Sequence, residues 1–443
     1  MICRVASNML KFSPSSFPRR EPDSVMNTPA MLSDARRETD RLFELVHPDW
    51  LYERPIRERH RIVFYLGHLE AFDWNLLRPH MRNADTFDAA FDRLFAFGID
   101  PVDGGLPSEP ASDWPSVAEI DRYRRGVRRR LDDAEHDSTL LHMAAENRLM
   151  HAETLAYMLH QLPLEGKRQE RQVSLAQSEP IRRERLEIHA GRVTLGIAST
   201  APFGWDNELN AHAPDVPSFA IDRYKVTNGD YLVFVESGGY QDPNLWAPDA
   251  WHWKAAHNIS LPAFWRQAGN EWRCRTMFDD IPLPLDWPVY VSHAEASAYA
   301  RWAGLRLPSE SEWHRAAYGT PEGSERQFPW GAEPPAPEHG YFGLARWDPA
   351  PVNAFPRGRS AFGVEGLLAN GWEWTATPFA PFPGFKAHPS YAGYSADFFD
   401  GKHYVLKGGS TRTAACLLRR SFRNWFQPYY QYVYAGFRCA RGA

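Results

Sequence analysis

Apolar residues in the first third of the chain recur every three or four positions, the spacing of helices that bury one face. Five such segments lie between residues 33 and 165, with short joins between them. They are ARRETDRLFELV behind a cap at Ser33, residues 58–77, residues 86–98 ending at Gly98, DWPSVAEIDRYRRGVRRRLDD, and a last helix from Asp137 or Ser138 to just before Pro163. In the fourth, Ser116 and Glu119 have capping-box spacing. The pattern predicts a helical bundle over 33–165.

The pattern changes after the last of these helices. Residues 166–185, GKRQERQVSLAQSEPIRRER, are charged and almost free of large apolar groups, which predicts a linker. Over residues 186–443, Gly, Pro and Trp recur, apolar runs are short, and helical stretches such as SHAEASAYARWAG are few. We therefore expect an α+β protein whose second half is loop-rich, with functional side chains on its loops. Residues 1–32 are expected to form a disordered tail, and they lack the apolar run of a signal peptide.

Composition narrows the class of protein. The 443 residues are 43% hydrophobic and 24% charged, with a net charge of −5, which is typical of a globular protein and indicates neither nucleic-acid binding nor a membrane span. The four cysteines are far apart and form no CxxC pair, which argues against a disulfide framework or a zinc ribbon. Reduced thiols fit a cytoplasmic protein best.

Three bundle residues could carry chemistry. His68 lies in FYLGHLEAFDWN, and His151 and Glu153 lie in the fifth helix. Asn147 stands one helical turn before His151, where a metal-binding helix usually has its second ligand. Bundles do build metal sites from histidines on facing helices, but two lone histidines on separate helices are a weak signal and also fit buried, hydrogen-bonded core residues. The spacing alone leaves both interpretations open.

Two groups in the second half are further candidates. A basic and aromatic cluster near the C-terminus predicts either a polar pocket with aromatic walls or a strand pair whose arginines face water. Its members are Arg419, Arg420, Arg423, Asn424, Trp425, Tyr429, Tyr430, Tyr432 and Tyr434. Upstream, Tyr391 and Tyr394 in SYAGYSADFF are phenols on a predicted loop, where a tyrosine either packs or donates a proton.

The order of these segments resembles a known pair of domains. DRYKVTNGDYLVFV, PVYVSHAEASAYARWAGLRLPSESEWHRAA, NGWEWT, VLKGGS and AGFRCA resemble a formylglycine-generating-enzyme-type (sulfatase-modifying-factor) domain, which implies a C-type-lectin-like fold. RPIRERHRIVFYLGHLEAFDWN, RLFAFGIDP, SDWPSVAEI and MHAETLAYMLHQLP resemble the DinB-type bundle that precedes this domain in the sulfoxide synthases of ergothioneine biosynthesis.

The resemblance implies an iron centre. Members of that family bind non-haem iron(II) through three histidines, and they use O₂ to join a thiol sulfur to the imidazole of Nα-trimethylhistidine (hercynine). The iron positions correspond to His68, Asn147 and His151, and Glu153 matches the acidic residue of the same motif. Asn147 replaces a histidine, and a carboxamide oxygen is a weaker iron donor than imidazole. Iron bound through a third group, iron bound weakly, and a dead site all remain open.

The resemblance also implies substrate contacts. Asn424 and Trp425 match residues that hold hercynine, and we expect Arg423, directly before them, to contact substrate as well. Tyr391 and Tyr394 match loop tyrosines near the iron, one of which donates a proton.

A second departure concerns the thiol side. Phe426 and Tyr430 stand where actinobacterial members have the Asp and Arg that hold γ-glutamylcysteine. Free cysteine, or an uncharged sulfur or selenium donor such as a selenosugar, is therefore the expected co-substrate.

These observations predict an iron(II)- and O₂-dependent enzyme that joins carbon to sulfur, with small molecules as its partners. Two alternatives stay open: a selenoneine synthase with a selenosugar donor, and a metal-free binding protein left after the loss of a ligand at Asn147. Formylglycine generation itself is set aside, because it needs a closely placed cysteine pair near the C-terminus, and Cys416 and Cys439 are far apart in sequence.

Overall fold

The computed structural model of the protein describes residues 28–82, 85–96, 108–169, 180–344 and 346–442. Predictions for residues 1–27 and 170–179, and for the helix end at Gly98, lie outside these ranges.

The first half of the chain is helical, as predicted. Its helices are α1 Thr28–Glu44, α2 Ile62–Leu77, α3 Ala89–Leu94, α4 Val117–Asp132 and α5 Ser138–Gln161. Within the bundle α1 packs along α5, while α2 packs against both α4 and α5. The predicted capping box at the start of α4 is confirmed, since the Ser116 hydroxyl and the Glu119 carboxylate bond each other's backbone N–H groups. Asp137 caps α5 as expected.

Several predicted boundaries are wrong. Helix α1 begins at Thr28 instead of behind Ser33, so residues 28–32 are helical and not part of a tail. Helix α2 begins four residues later than predicted, after Arg61, and α3 begins at Ala89 instead of Thr86. The start of the predicted linker is packed, because Lys167 is buried and its amine donates to the backbone oxygen of Met277 at 2.6 Å.

The second half contains short elements separated by long loops. Its helices are α6 Asn228–Glu236, α7 Pro248–Ala256, α8 His293–Trp302 and α9 Glu310–Tyr318. Its strands are β1 Arg185–Ile188, β2 Gly191–Arg192, β3 Asp215–Val216, β4 Phe219–Asp222, β5 Trp265–Ala268, β6 Glu271–Arg275, β7 Asp280–Pro282, β8 Gly371–Pro378, β9 Tyr404–Gly409, β10 Asn424–Phe426, β11 Ala435–Gly436 and β12 Ala440–Gly442. The predicted α+β class is confirmed.

Two sheets organise this domain. In the first sheet, β4 lies between β1 and β12 and pairs antiparallel with both. The last strand of the domain, β12, therefore lies in the same sheet as its first strand, β1. In the second, the strand order is β10–β9–β8–β11, antiparallel except where β11 pairs parallel with β8. The second sheet places β10, with Asn424 and Trp425, on one edge. Smaller sheets pair β2 with β3, and β5–β6–β7.

None of the helices within the described ranges has both the length and the apolar character needed to cross a membrane.

Candidate functional site

Helix α5 is buried on every side because it lies between the bundle and the C-terminal domain. Nearly every residue from Leu140 to His160 is buried. One stripe of the helix contacts the C-terminal domain along its whole length, with members spaced by four, three, four and three residues. These members are Glu146, Met150, Glu153, Tyr157 and His160. Another face turns to α2 within the bundle, and it carries Asn147 and His151.

His68 on α2 and His151 on α5 face each other, with ring centroids 5.1 Å apart. In each ring Nδ1 bonds a backbone carbonyl, that of Phe95 at 2.7 Å for His68 and that of Asn147 at 2.8 Å for His151. A carbonyl oxygen only accepts, so Nδ1 carries the proton and Nε2 carries the lone pair. This is the tautomer that a metal-binding histidine with an oriented ring needs.

Burial keeps the His68 imidazole neutral, the form that can bind a metal. Burial, and then the neighbouring His151, lower the pKa of His68 to about 3, so its imidazole is neutral at physiological pH. Phe64 stacks on His68 with ring centroids 4.8 Å apart, which fixes the other side of the ring. Neutral imidazoles are good ligands for iron and its neighbours in the first transition row.

Asn147, one helical turn before His151, is the third residue of the expected donor set. Its side chain is 3% exposed, and its Oδ1 has no hydrogen-bond partner in the described part of the chain. A buried oxygen without a hydrogen-bond partner destabilises the fold, and a group bound to that oxygen would offset the loss. No group of three or more His, Cys, Asp or Glu side chains among the described residues could hold a metal. The donor set expected from the sequence thus has two imidazoles and, in third place, an amide oxygen, which is a weaker donor for a divalent ion than a third imidazole.

Glu153 belongs to the other face of α5. Its carboxylate accepts from the indole of Trp372 at 2.8 Å, from Thr413 Oγ1 at 2.8 Å, and from Ser410 Oγ. Burial raises the pKa of this carboxyl, partly offset by those donors. Glu153 thus attaches α5 to the C-terminal domain.

The two loop tyrosines both reach the bundle. The Tyr394 hydroxyl lies 3.5 Å from the sulfur of Met150, next to His151, and its ring lies 5.3 Å from Trp425. The Tyr391 ring lies 5.2 Å from Phe72 of α2. Burial, followed by the carboxylates of two nearby glutamates, raises the pKa of Tyr394 well above its ordinary value. Tyr394 therefore keeps its proton and can donate it.

The candidate hercynine residues lie on and beside β10. Asn424 accepts from the Trp425 backbone at 2.9 Å through Oδ1, and the Trp425 ring stacks on Phe379 with centroids 4.2 Å apart. Arg423 differs from the expectation that it binds substrate. Its guanidinium is buried and bonds both oxygens of Glu310, at 2.9 and 3.1 Å, which makes it a support for β10.

Phe426 and Tyr430, which stand where charged residues were expected, are aromatic, but a cation lies beside them. Phe426 and Tyr430 stack nearly parallel, with centroids 5.2 Å apart, and Tyr157 of α5 lies edge-on to both. Arg59, from the loop before α2, donates from Nε to the Tyr430 hydroxyl at 2.9 Å and lies 4.9 Å from its ring centre. Sequence reasoning missed this cation, since the two residues are 371 positions apart and no local motif marks Arg59.

Comparisons with known proteins point to one family. Residues 172–443 match the family of the sulfatase-modifying factor enzyme 1-like domain. The chain is 44% identical over 250 residues to "Hercynine oxygenase" of Mycobacterium tuberculosis, which covers 56% of this chain and 58% of that protein. It is 27% identical over 493 residues to "Ergothioneine biosynthesis protein 1" of Neurospora crassa, with 90% and 56% covered.

The match thus spans less than two thirds of the length of these relatives. Among solved structures, PvdO from Pseudomonas aeruginosa matches 58% of this chain and 94% of its own at 20% identity, with a TM-score of 0.40.

Proposed function

The chain belongs to the sulfatase-modifying factor enzyme 1-like family, and from that premise we propose that it is an iron(II)- and O₂-dependent enzyme that joins a chalcogen atom to the imidazole of hercynine. The expectation of a formylglycine-generating-enzyme-type second half is confirmed by the same match. Hercynine enters the proposal through the relatives named hercynine oxygenase and ergothioneine biosynthesis protein 1.

One observation carries the proposal. His68 and His151 face each other between α2 and α5, Asn147 with its unsatisfied oxygen lies one helical turn before His151, and Tyr394 reaches the same helix from the C-terminal domain. Metal donors, a proton donor and an aromatic wall thus come from both halves of the chain. A binding module without chemistry has no need for this combination.

Iron(II) held by His68, His151 and Asn147 would supply the activation of O₂. The overall reaction for a thiol donor is RSH + hercynine + O₂ → RS(O)–hercynine + H₂O, in which four electrons reduce O₂ and the carbon–sulfur and sulfur–oxygen bonds form. Tyr394 holds its proton for delivery to oxygen. Asn424 and Trp425 orient the imidazole of hercynine, and Phe426 and Tyr430 exclude water on the donor side.

The donor side favours a small molecule over a charged dipeptide. The Phe426–Tyr430 stack has no charged group of its own, and leaving a substrate charge unpaired costs roughly 1–3 kcal/mol or more, which counts against the second carboxylate of γ-glutamylcysteine. Arg59 beside Tyr430 is the one cation that the described residues bring to this stack, and it suits a donor with a single carboxylate, such as free cysteine.

A selenium donor is the second candidate. The same aromatic stack accepts an uncharged selenosugar, whose soft selenium packs well against rings, and the resulting enzyme would be a selenoneine synthase.

A direct assay tests the proposal and separates the candidates. Purified protein loaded anaerobically with Fe(II) is exposed to O₂ and hercynine with cysteine, γ-glutamylcysteine or a selenosugar, and products are identified by mass spectrometry. We expect an O₂-dependent hercynine adduct with cysteine or the selenosugar, and much less with γ-glutamylcysteine. If no adduct forms with any donor although hercynine binds, the protein is a binding module and the proposal is wrong.

A further inference from the structure

The turn at residues 205–208 holds the loop that carries Tyr394. The Trp205 ring stacks on the Tyr394 ring, with centroids 4.0 Å apart and an angle of 25° between the planes. The next residue, Ser395, is fully buried, donates to Asp206 Oδ1 and accepts from Asn207 Nδ2 at 3.0 Å. The turn therefore contacts both the phenol ring and the backbone segment behind it.

The same turn is fastened to helix α5 through buried charges. Glu146 of α5 accepts from the indole N–H of Trp205 at 2.8 Å. Arg419 bonds both oxygens of Glu146, at 2.6 and 3.0 Å, and both oxygens of Glu208, at 2.8 and 2.5 Å. Glu208 in turn accepts from the Trp205 backbone N–H at 3.0 Å, which closes the network.

This network connects helix α5, which carries Asn147, to the loop that carries Tyr394. The proposed reaction needs these two side chains in a fixed relative position. Glu146 directly precedes the metal-site residue Asn147, and Tyr394 belongs to a loop of the other domain. Both carboxylates of the network are fully buried, and buried ion pairs are held at a cost in desolvation that hydrophobic packing avoids. Planar bidentate pairing gives directional constraint, which apolar contact between the same elements does not.

We propose that Glu146, Arg419 and Trp205 are positioning residues that hold the Tyr394 phenol against helix α5, next to the metal site. The inference rests on the proposed function for the role of Tyr394 as proton donor. It rests on the contacts alone for the positioning itself. Trp205 is the network member that stacks on Tyr394, whereas Glu146 and Arg419 reach the phenol through Trp205 and through their charges. Arg419→Lys keeps its charge while removing the planar bidentate pairing, so it reports on positioning.

The positioning is tested without turnover by ¹⁹F NMR of protein labelled with 3-fluorotyrosine. The Tyr394 resonance, one of 18, is assigned by its loss in Tyr394→Phe. We expect Glu146→Gln and Arg419→Lys to shift or broaden it. The matched control is Arg438→Lys, which changes a buried bidentate pair with Glu373 elsewhere in the domain. A Tyr394 resonance that stays at its wild-type position in both network variants would overturn the proposal.

Turnover tests whether the network acts through Tyr394. Tyr394→Phe should lower kcat by about 100-fold or more, the usual range for a lost general acid. Arg419→Lys should lower kcat about tenfold with KM unchanged, and by less than about twofold in the Tyr394→Phe background, because coupled residues are not additive. Equal losses in both backgrounds would overturn the proposal. Absence of turnover in the wild type contradicts the proposed function instead, and the NMR result then decides the positioning alone.

Discussion

The imidazole rings of His68 and His151 lie 5.1 Å apart across the contact between α2 and α5. Arg148, the third residue before His151, holds the two helices in that register. Its guanidinium is buried and donates to the Leu69 backbone oxygen at 2.8 Å and to Asp73 at 2.6 Å, immediately beyond His68 on α2. The pairing of the two histidines thus follows from a defined helix contact.

The first prediction concerns the third donor. Asn147→His places a third imidazole one turn from His151. Iron(II) affinity should rise by about one to two orders of magnitude, or about 1.4–3 kcal/mol, because imidazole is the stronger donor. Anaerobic Fe(II) titration measures it, and Asn147→Ala, which removes the oxygen, should bind more weakly than wild type. Identical affinities in all three proteins would mean that position 147 does not face the metal.

The second prediction concerns the attachment of α5 to the C-terminal domain. Glu153→Ala leaves the Trp372 indole and the Ser410 and Thr413 hydroxyls without their acceptor. Each unsatisfied buried donor costs about 1–3 kcal/mol, and hydroxyl rotation relieves part of this, so we expect a loss of about 3 kcal/mol. Urea denaturation measures it. Glu187→Ala, on the exposed side of β1, is the control and should be nearly neutral.

The third prediction concerns donor choice. Arg59→Met removes the cation beside Tyr430. A hydrogen bond to a charged group contributes about 1.5–3 kcal/mol, so KM for cysteine should rise roughly 10- to 100-fold while KM for a selenosugar changes little. Arg61→Met is the control, because Arg61 lies in the same loop and bonds the Tyr52 backbone instead. Equal effects on both donors would assign Arg59 a purely structural role.

The fourth prediction concerns pH and stability. Burial, and then the nearby Arg275, lower the pKa of Lys167 to about 7, while Asp348 opposes them. Between pH 7 and about 10 the unfolded chain therefore binds a proton at Lys167 that the folded chain lacks, so this residue makes the folded state more stable as pH rises. Lys167→Met should flatten the rise in thermal unfolding temperature over that window. A slope equal to that of wild type would contradict the burial of a neutral amine.

The sequence predicts the elements better than the contacts between them. Helix α5 and the capping box of α4 follow from local signals, namely Asp137, Pro163, and Ser116 with Glu119. The start of α1 at Thr28 was not predicted, because Ser33 offers a competing cap signal inside the helix; α1 packs along α5.

The site shows the same division. The histidines and tyrosines could be named from motifs, but the partners that orient them come from far along the chain. Arg419 and Glu146 are 273 positions apart, and Arg59 and Tyr430 are 371 apart. From the sequence, Arg423 was expected to bind substrate because it lies among basic residues. In the fold its guanidinium instead forms an ion pair with Glu310. Periodicity describes one element at a time and carries no information on such pairs.

The most direct test of the account is iron stoichiometry. Wild type, His68→Ala and His151→Ala are loaded with Fe(II) without oxygen, freed of excess metal, and analysed for iron, with His257→Ala as the control because His257 lies at the exposed end of α7. We predict about one iron per chain in wild type and in the control, and little in the other two variants, since each removes one of only two imidazole donors. Equal iron content in all four proteins would contradict the metal centre between α2 and α5.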